Sequence, residues 1–216
     1  MSLLIGRHAK AEEQSVLSLF RNARFERSAA RPDQLPPPVG PEVAFAGRSN
    51  SGKSSAINVL VGHKGLARVS RTPGRTQLIN FFRVGPGQLV DLPGYGYAEV
   101  PERLRTHWRP LIEHYLRTRT ALRGLVLVMD ARHPFTPVDR QLLDWFALTG
   151  KPVHILLTKS DKLSRGEAIL ALRHAEQELS SYPVLAAAHL FSASKPTGVQ
   201  EGRRRIAEWM DVQQSI

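Results

Sequence analysis

The chain has 216 residues, 42% of them hydrophobic and 23% charged, the balance of an ordinary globular protein with one substantial core. No apolar run approaches the ~18 residues of a membrane helix, and residues 1–13 lack the apolar centre of an export signal, so a protein that neither spans a membrane nor is secreted is expected. Thirty Lys and Arg against nineteen Asp and Glu leave a formal charge of +11, which favours polyanions such as RNA; the lack of cysteine excludes disulfides, Cys-type zinc sites and C-terminal prenylation, and fits a reducing cytoplasm.

Val16, Phe20 and Ala23 recur at helical spacing and predict a short amphipathic helix near residues 11–22. Pro32, Pro36, Pro37, Pro38 and Pro41 then remove backbone donors and read as a connector, so residues 1–40 form an N-terminal extension ahead of a main domain over 41–216. From there short apolar runs alternate with amphipathic stretches, which predicts strands over Val43–Ala46, Leu78–Val84, Leu89–Asp91, Leu125–Asp130, Val153–Leu157 and Leu185–Phe191 in a mainly parallel sheet covered by helices. Helices are predicted from about Pro137, Arg165 and Gly198. Thr136 precedes Pro137 at a first-turn position, and Ser164 with Glu167 and Thr197 with Gln200 have capping-box spacing. In the middle helix Ala168, Leu172, Ala175 and Leu179 share one face.

Gly47-Arg48-Ser49-Asn50-Ser51-Gly52-Lys53-Ser54 follows the first of these strands and opens a helix, the placement that a phosphate-binding loop requires. The glycines let the backbone curl so that successive N–H groups face an anion, Lys53 reaches β and γ phosphates, and the Ser54 hydroxyl suits Mg²⁺. Arg71-Thr72-Pro73-Gly74-Arg75-Thr76-Gln77 is a polar, turn-rich stretch suited to a switch loop. Thr76 is the preferred second hydroxyl for Mg²⁺, with Thr72 and Ser70 as competitors. Asp91-Leu92-Pro93-Gly94 delivers a carboxylate at a strand end, where Asp91 can hold Mg²⁺ through water and the Gly94 amide can sense a γ phosphate. Thr158-Lys159-Ser160-Asp161 ends another strand. Asp161 offers two acceptors to the N1–H and N2 donors of guanine, which adenine lacks, and the Lys159 stem can cover the base. Phe191-Ser192-Ala193 ends the last run and would bring backbone N–H to guanine O6. Arg103, Arg105, Arg109, Arg117, Arg119 and Arg123, together with Arg203, Arg204 and Arg205, are candidates for RNA phosphates.

From about Phe25 to Trp209 the chain resembles translation-factor-related GTPases, in particular the bacterial ribosome-biogenesis GTP-binding proteins of the EngB (YsxC/YihA) type. The likeness rests on Glu42 to Ser55, Thr72 to Gln77, Asp91 to Tyr97 and Thr158 to Asp161. It implies a P-loop NTPase G domain with a six-stranded, mostly parallel sheet, one strand antiparallel, and helices on both faces. It also implies Mg²⁺-dependent hydrolysis of GTP to GDP, action in assembly of the large ribosomal subunit through rRNA contacts, a link to cell division and septation, and a monomer with no membrane association. By the same resemblance Ser54 and Thr76 ligate Mg²⁺, Ser55 and Gly74 to Leu78 contact the nucleotide, and Lys53, Thr76 and Gly94 act at the γ phosphate. Two positions depart from the broader GTPase pattern. Thr158 stands where Asn is commoner, as it does throughout the family, so guanine specificity is kept. Tyr95 follows Gly94 in place of the Gln that orients water in Ras-like proteins, so slow intrinsic hydrolysis is expected. Asn50 resembles the asparagine that holds K⁺ beside the phosphates in potassium-dependent relatives. The alternatives are an ATP-dependent small-molecule kinase and a ribosome-associated protein that binds GTP without turning it over.

Overall fold

The computed structural model describes residue 14 and residues 16–67, 78–95 and 102–210, with the backbone alone for 102–109. Among the described residues seven strands form one sheet: β1 (Arg24–Ala29), β2 (Glu42–Gly47), β3 (Ile79–Val84), β4 (Gly87–Asp91), β5 (Leu122–Asp130), β6 (Val153–Thr158) and β7 (Ala186–Leu190), in the spatial order β1-β3-β4-β2-β5-β6-β7. β2 lies parallel to β4 and β5, β6 is parallel to β5 and β7, and β3 runs antiparallel to both neighbours. The sheet is therefore mostly parallel with one reversed strand, as expected, but it has seven strands rather than six.

The added strand is β1, within the stretch read as an N-terminal extension. Its sequence, RFERSA, has no apolar run because it lies at the sheet edge with its side chains largely outward. Contacts distant in sequence hold it: Arg83 pairs with Glu26 at 2.9 Å, Ser28 Oγ donates to Asn80 Oδ1 at 2.7 Å, and Phe25 meets Phe82 edge-on.

The helices are α1 (Lys53–Val61), α2 (Glu102–Thr118), α3 (Pro137–Ala147), α4 (Arg165–Leu179) and α5 (Val199–Trp209), with a further helical stretch over residues 16–21. Successive strand residues point to opposite faces, so Ala44 and Phe81 join a core with Tyr115, Leu143, Phe146 and Ala175 of α2, α3 and α4. Phe45 and Phe82 join a second core with Phe20, Ile57, Leu60 and Ile206. Val16, Phe20 and Ala23 are buried as their spacing predicted, while residues 11–13 of that expected helix lie outside the described residues.

Ser164 and Glu167 form the expected capping box of α4, at 3.3 and 2.8 Å. The box expected of Thr197 and Gln200 does not form. α5 begins one residue later, after Gly198 at φ 70°, where a Cβ would lie 2.2 Å from Leu190 O. The Thr197 hydroxyl donates instead to Lys195 O at 2.9 Å. Among the described residues no helix is long and apolar enough to cross a membrane.

Candidate nucleotide site

The parallel strands β2, β4, β5, β6 and β7 end along one edge of the sheet, where open α/β sheets gather their ligands. β2 runs straight into the glycine-rich loop. Gly47 is required there because a Cβ would lie 2.6 Å from Val128 O and 2.7 Å from Ser51 Oγ. Asn50 and Gly52 take positive φ, 64° and 97°, and so turn the loop back toward the start of α1. The Ser51 amide donates to Arg48 O at 3.0 Å and the Ser49 amide to Tyr95 O at 2.9 Å. The amides of Asn50, Gly52, Lys53, Ser54 and Ser55 have no acceptor among the described residues, and they crown the N-terminus of α1.

Asp91 ends β4 opposite Phe45 of β2. Its carboxylate, nearly buried, takes the Lys53 ammonium as partner. The following residues continue beside β2: Leu92 N–H donates to Phe45 O at 2.9 Å and Tyr95 N–H to Gly47 O at 3.3 Å. Gly94 thus faces the loop, where a Cβ would stand 3.1 Å from Ser49 Oγ.

β6 delivers the third group. The Thr158 hydroxyl lies between Ser51 O of the loop and Met129 O, the latter at 2.9 Å. Lys159, at φ 57°, sends its ammonium to Asn50 O at 2.7 Å and to Asp130 at 2.9 Å. Burial pushes the Asp130 carboxyl up, but hydrogen bonds from Arg132 and Lys159 outweigh it and hold the group well below the usual carboxylate range. Asp161 accepts the Ser192 hydroxyl at 2.7 Å. The Ser192 and Ser194 hydroxyls lower its pKa, and Ser192 Oγ is itself steadied by the Lys195 amide at 3.0 Å. Ser160 is anchored through its hydroxyl to Phe191 O at 2.9 Å.

The expected motifs therefore converge, with three adjustments. The amides of Phe191 and Ser192 are already engaged, with Leu157 O at 2.8 Å and Thr197 O at 3.1 Å, so of that trio only the Ala193 amide remains for a ligand. Leu78 immediately precedes β3, whereas Ser70, Thr72, Gly74, Arg75, Thr76 and Gln77 lie outside the described residues. The arginines divide. Arg203 is buried and caps α1, donating to Leu60 O at 2.7 Å and Val59 O at 3.1 Å, because the open carbonyls of a helix end attract a cation. Arg119 is held by the buried Glu42, Arg117 pairs with Glu113 at 3.1 Å, and Arg204 and Arg205 lie near Glu208. Arg203 and Arg119 thus serve the fold rather than an RNA surface. The side chains of Arg103, Arg105 and Arg109 lie outside the described residues.

Two acidic residues of the site, Asp130 beside Lys159 and Asp139 beside Tyr95, have no signature among the sequence motifs. Asp139 of α3, 1% exposed, accepts the Tyr95 hydroxyl at 2.8 Å, the Thr136 amide at 2.9 Å and the Thr136 hydroxyl at 2.7 Å, with Arg48 Nε at 3.5 Å. Burial, with the adjacent Asp139 charge, raises the Tyr95 phenol well above its ordinary pKa. The available signal was the position of Asp139 three residues after Thr136, the acidic half of a helix cap.

Comparison with known proteins gives a consistent picture. A family of 50S ribosome-binding GTPases matches residues 42–159. A probable GTP-binding protein EngB of Azoarcus sp. is 62% identical over 196 residues, covering 90% of this chain and 94% of that protein. Its counterpart in Aromatoleum aromaticum is 57% identical over 195 residues, covering 90% of each. Among solved structures, that of a probable GTP-binding protein engB superposes with a TM-score of 0.62 at 20% identity, over 80% of this chain and 99% of that one. Era bound to MgGDPNP and nucleotides 1506–1542 of 16S ribosomal RNA superposes at 0.60 and 22% identity, over 80% of this chain and 57% of that one. At such identities the structural matches speak for the fold alone.

Proposed function

Because this chain belongs to the EngB family of GTP-binding proteins, we propose that it binds GTP and GDP at the strand ends described above, hydrolyses GTP slowly, and uses the difference between the two states to engage and leave a large ribosomal subunit during its assembly, a role on which normal cell division and septation depend. The observation that carries the reading is the union of two preparations at one edge: a ring of amides around Lys53 with no acceptor among the described residues, and a carboxylate at Asp161 already oriented by Ser192.

In this reading the amides of residues 50 and 52–55 grip the phosphates while Lys53 leaves Asp91 for the β and γ oxygens. Ser54, Asp91 and Thr76 supply hard oxygen donors of the kind Mg²⁺ takes, and the metal when bound neutralises charge on the phosphate oxygens. Gly94 donates its amide to the γ phosphate. Asp161 accepts from guanine N1–H and N2, the Ala193 amide donates to O6, and the Lys159 stem covers the ring. Thr158 braces the phosphate loop from beneath. Tyr95 cannot orient attacking water through its hydroxyl, which Asp139 holds, and this supports a low intrinsic rate. K⁺ beside Asn50, or the ribosomal particle, then supplies the missing stabilisation.

Calorimetric titration of the full chain with Mg²⁺ and each nucleotide tests the site. GTP and GDP are expected to bind at least ~10³-fold more tightly than ATP, and equal binding would return the kinase alternative. Cosedimentation with ribosomal subunits in GDP and in a non-hydrolysable GTP analogue tests the switch. Association with the large subunit in one state is expected; identical behaviour in both states removes the switch.

A further inference from the structure

Tyr95 is clamped from three directions. Its N–H reaches Gly47 O at 3.3 Å, its carbonyl accepts the Ser49 amide at 2.9 Å, and its hydroxyl donates to Asp139 at 2.8 Å. The first two contacts are main-chain and belong to the phosphate loop itself. The third leads away, to the first turn of α3. There the Asp139 carboxylate is engaged through both oxygens: Tyr95 on one, the Thr136 amide and hydroxyl on the other, and Arg48 of the phosphate loop at 3.5 Å as the neighbouring cation. Arg48 is fixed in turn by His133 O at 3.3 Å. One buried carboxylate thus ties together the second residue of the phosphate loop, the residue after Gly94 and the first turn of α3.

We infer that Asp139 is a positioning residue for the γ phosphate: through Tyr95 and Arg48 it holds the Gly94 amide at the distance from the phosphate loop that a triphosphate, but not a diphosphate, reads. The inference rests on the nucleotide site proposed above and assigns it a control point on α3. Gly94 is one bond from the clamped residue, and its close approach to Ser49 leaves little freedom to compensate for a shift. A donor displaced by an ångström loses most of its value at a developing or resident charge. GDP has no γ phosphate and makes no use of that amide. Disturbing the clamp should therefore change the preference between the two nucleotides, whereas a residue that merely stabilised the fold would lower both affinities in step.

The test uses Asp139→Asn, Tyr95→Phe and the double variant in the full chain, with Mg²⁺, GDP and a non-hydrolysable GTP analogue. In Asp139→Asn the amide oxygen can still take the Thr136 donors, which preserves the helix start, but the amino group then faces the Tyr95 hydroxyl, which must turn from donor to a weaker neutral acceptor, and the charge opposite Arg48 is gone. Tyr95→Phe removes one oxygen and keeps the buried ring. Each single variant is expected to weaken the analogue about tenfold while GDP affinity stays within about twofold. The double variant should be no worse than Asp139→Asn alone, because the hydroxyl that Tyr95→Phe removes has by then already lost its carboxylate acceptor. Parallel loss of both nucleotides, or a double loss equal to the product of the singles, overturns the inference. Should Asp139→Asn fail to fold, Tyr95→Phe decides alone. An unaltered chain that binds neither nucleotide would instead overturn the proposed site itself, so the two failures are distinct.

Discussion

The two halves of the candidate site are prepared in opposite ways. On the side assigned to the base, Asp161 is held by Ser192, Lys159 by Asp130 and Asn50 O, and Ser160 by Phe191 O, all at hydrogen-bond distance within the chain. On the side assigned to the phosphates, the amides of Asn50 and of residues 52–55 have no acceptor among the described residues, and Lys53 and Asp91 spend their charges on each other. The base half presents a finished surface whose ordering cost was met in folding. The phosphate half must exchange partners on binding, so it is the half whose state can depend on the number of phosphates.

That contrast is broken most directly by cutting one group from each half. Asp161→Ala removes the acceptor for two guanine donors and should weaken GTP and GDP alike, by roughly a hundred- to a thousandfold, while narrowing the preference over ATP to about tenfold. Lys53→Ala should cost GTP about a hundredfold and GDP distinctly less, since the γ contact is lost with the β contact. Calorimetry on both variants reads the result. If Asp161→Ala changed the GTP-to-GDP ratio, the division into a fixed half and a responsive half would fail.

A second expected effect, of about 2 kcal/mol, arises on the strands that carry the base half but away from its binding groups, and comes from acid. His154 of β6 and His189 of β7 stand 2.7 Å apart, and His189 Nε2 lies 2.9 Å from Gly198 O. A carbonyl only accepts, so His189 carries its proton on Nε2. Its Nδ1 then accepts from His154 Nε2, which leaves His154 Nδ1 bare and buried with no partner among the described residues. Burial first, then the neighbouring His189 and the charge of Arg205, lower the His154 pKa to about 3; His189 is lowered too, chiefly by burial, against the pull of Glu201. Trp209 of α5 packs edge-on against His154. With the folded value below the unfolded one, the unfolded chain takes the proton first. Stability is therefore full above pH ~6.5 and falls as the pH drops toward 3, by about 2 kcal/mol between pH 7 and 5. Urea midpoints at those two pH values should show this loss, and His154→Gln, which still donates to His189 but does not titrate, should lack most of it.

How much of this was legible in the sequence differs with the kind of residue. β2 to β7 announced themselves as apolar runs, and the loop at Gly47, the carboxylate at Asp91 and the turn at Asp161 each sit at the end of such a run. β1 carried no such signature, because a charged edge strand owes its place to Arg83, Asn80 and Phe82, more than fifty residues away in the chain. Arg203 was expected among the arginines that meet RNA phosphates, and only the folded chain brings the open carbonyls of α1 to it. Asp130 and Asp139 were invisible as site residues for the same reason: a carboxylate that acts by holding another side chain has no local pattern, and its meaning lies in the partner.

The two halves are not independent, and the smallest expected effect measures how firmly they are joined. Thr158 ends the base-side strand, yet its hydroxyl lies against Ser51 O of the phosphate loop as well as Met129 O. Thr158→Val keeps the shape and removes the bond, leaving a loop carbonyl without its donor at a cost of about 1 kcal/mol, or roughly 2–4 °C in Tm for a chain of this size. Because that carbonyl supports the loop for any bound phosphate, GTP and GDP should weaken together, by about fivefold. Thr158→Ser, which restores the hydroxyl without the methyl, should recover most of both losses. A valine variant that lost stability with no change in either affinity would make Thr158 a packing residue, and the base strand would then end without a hold on the phosphate loop.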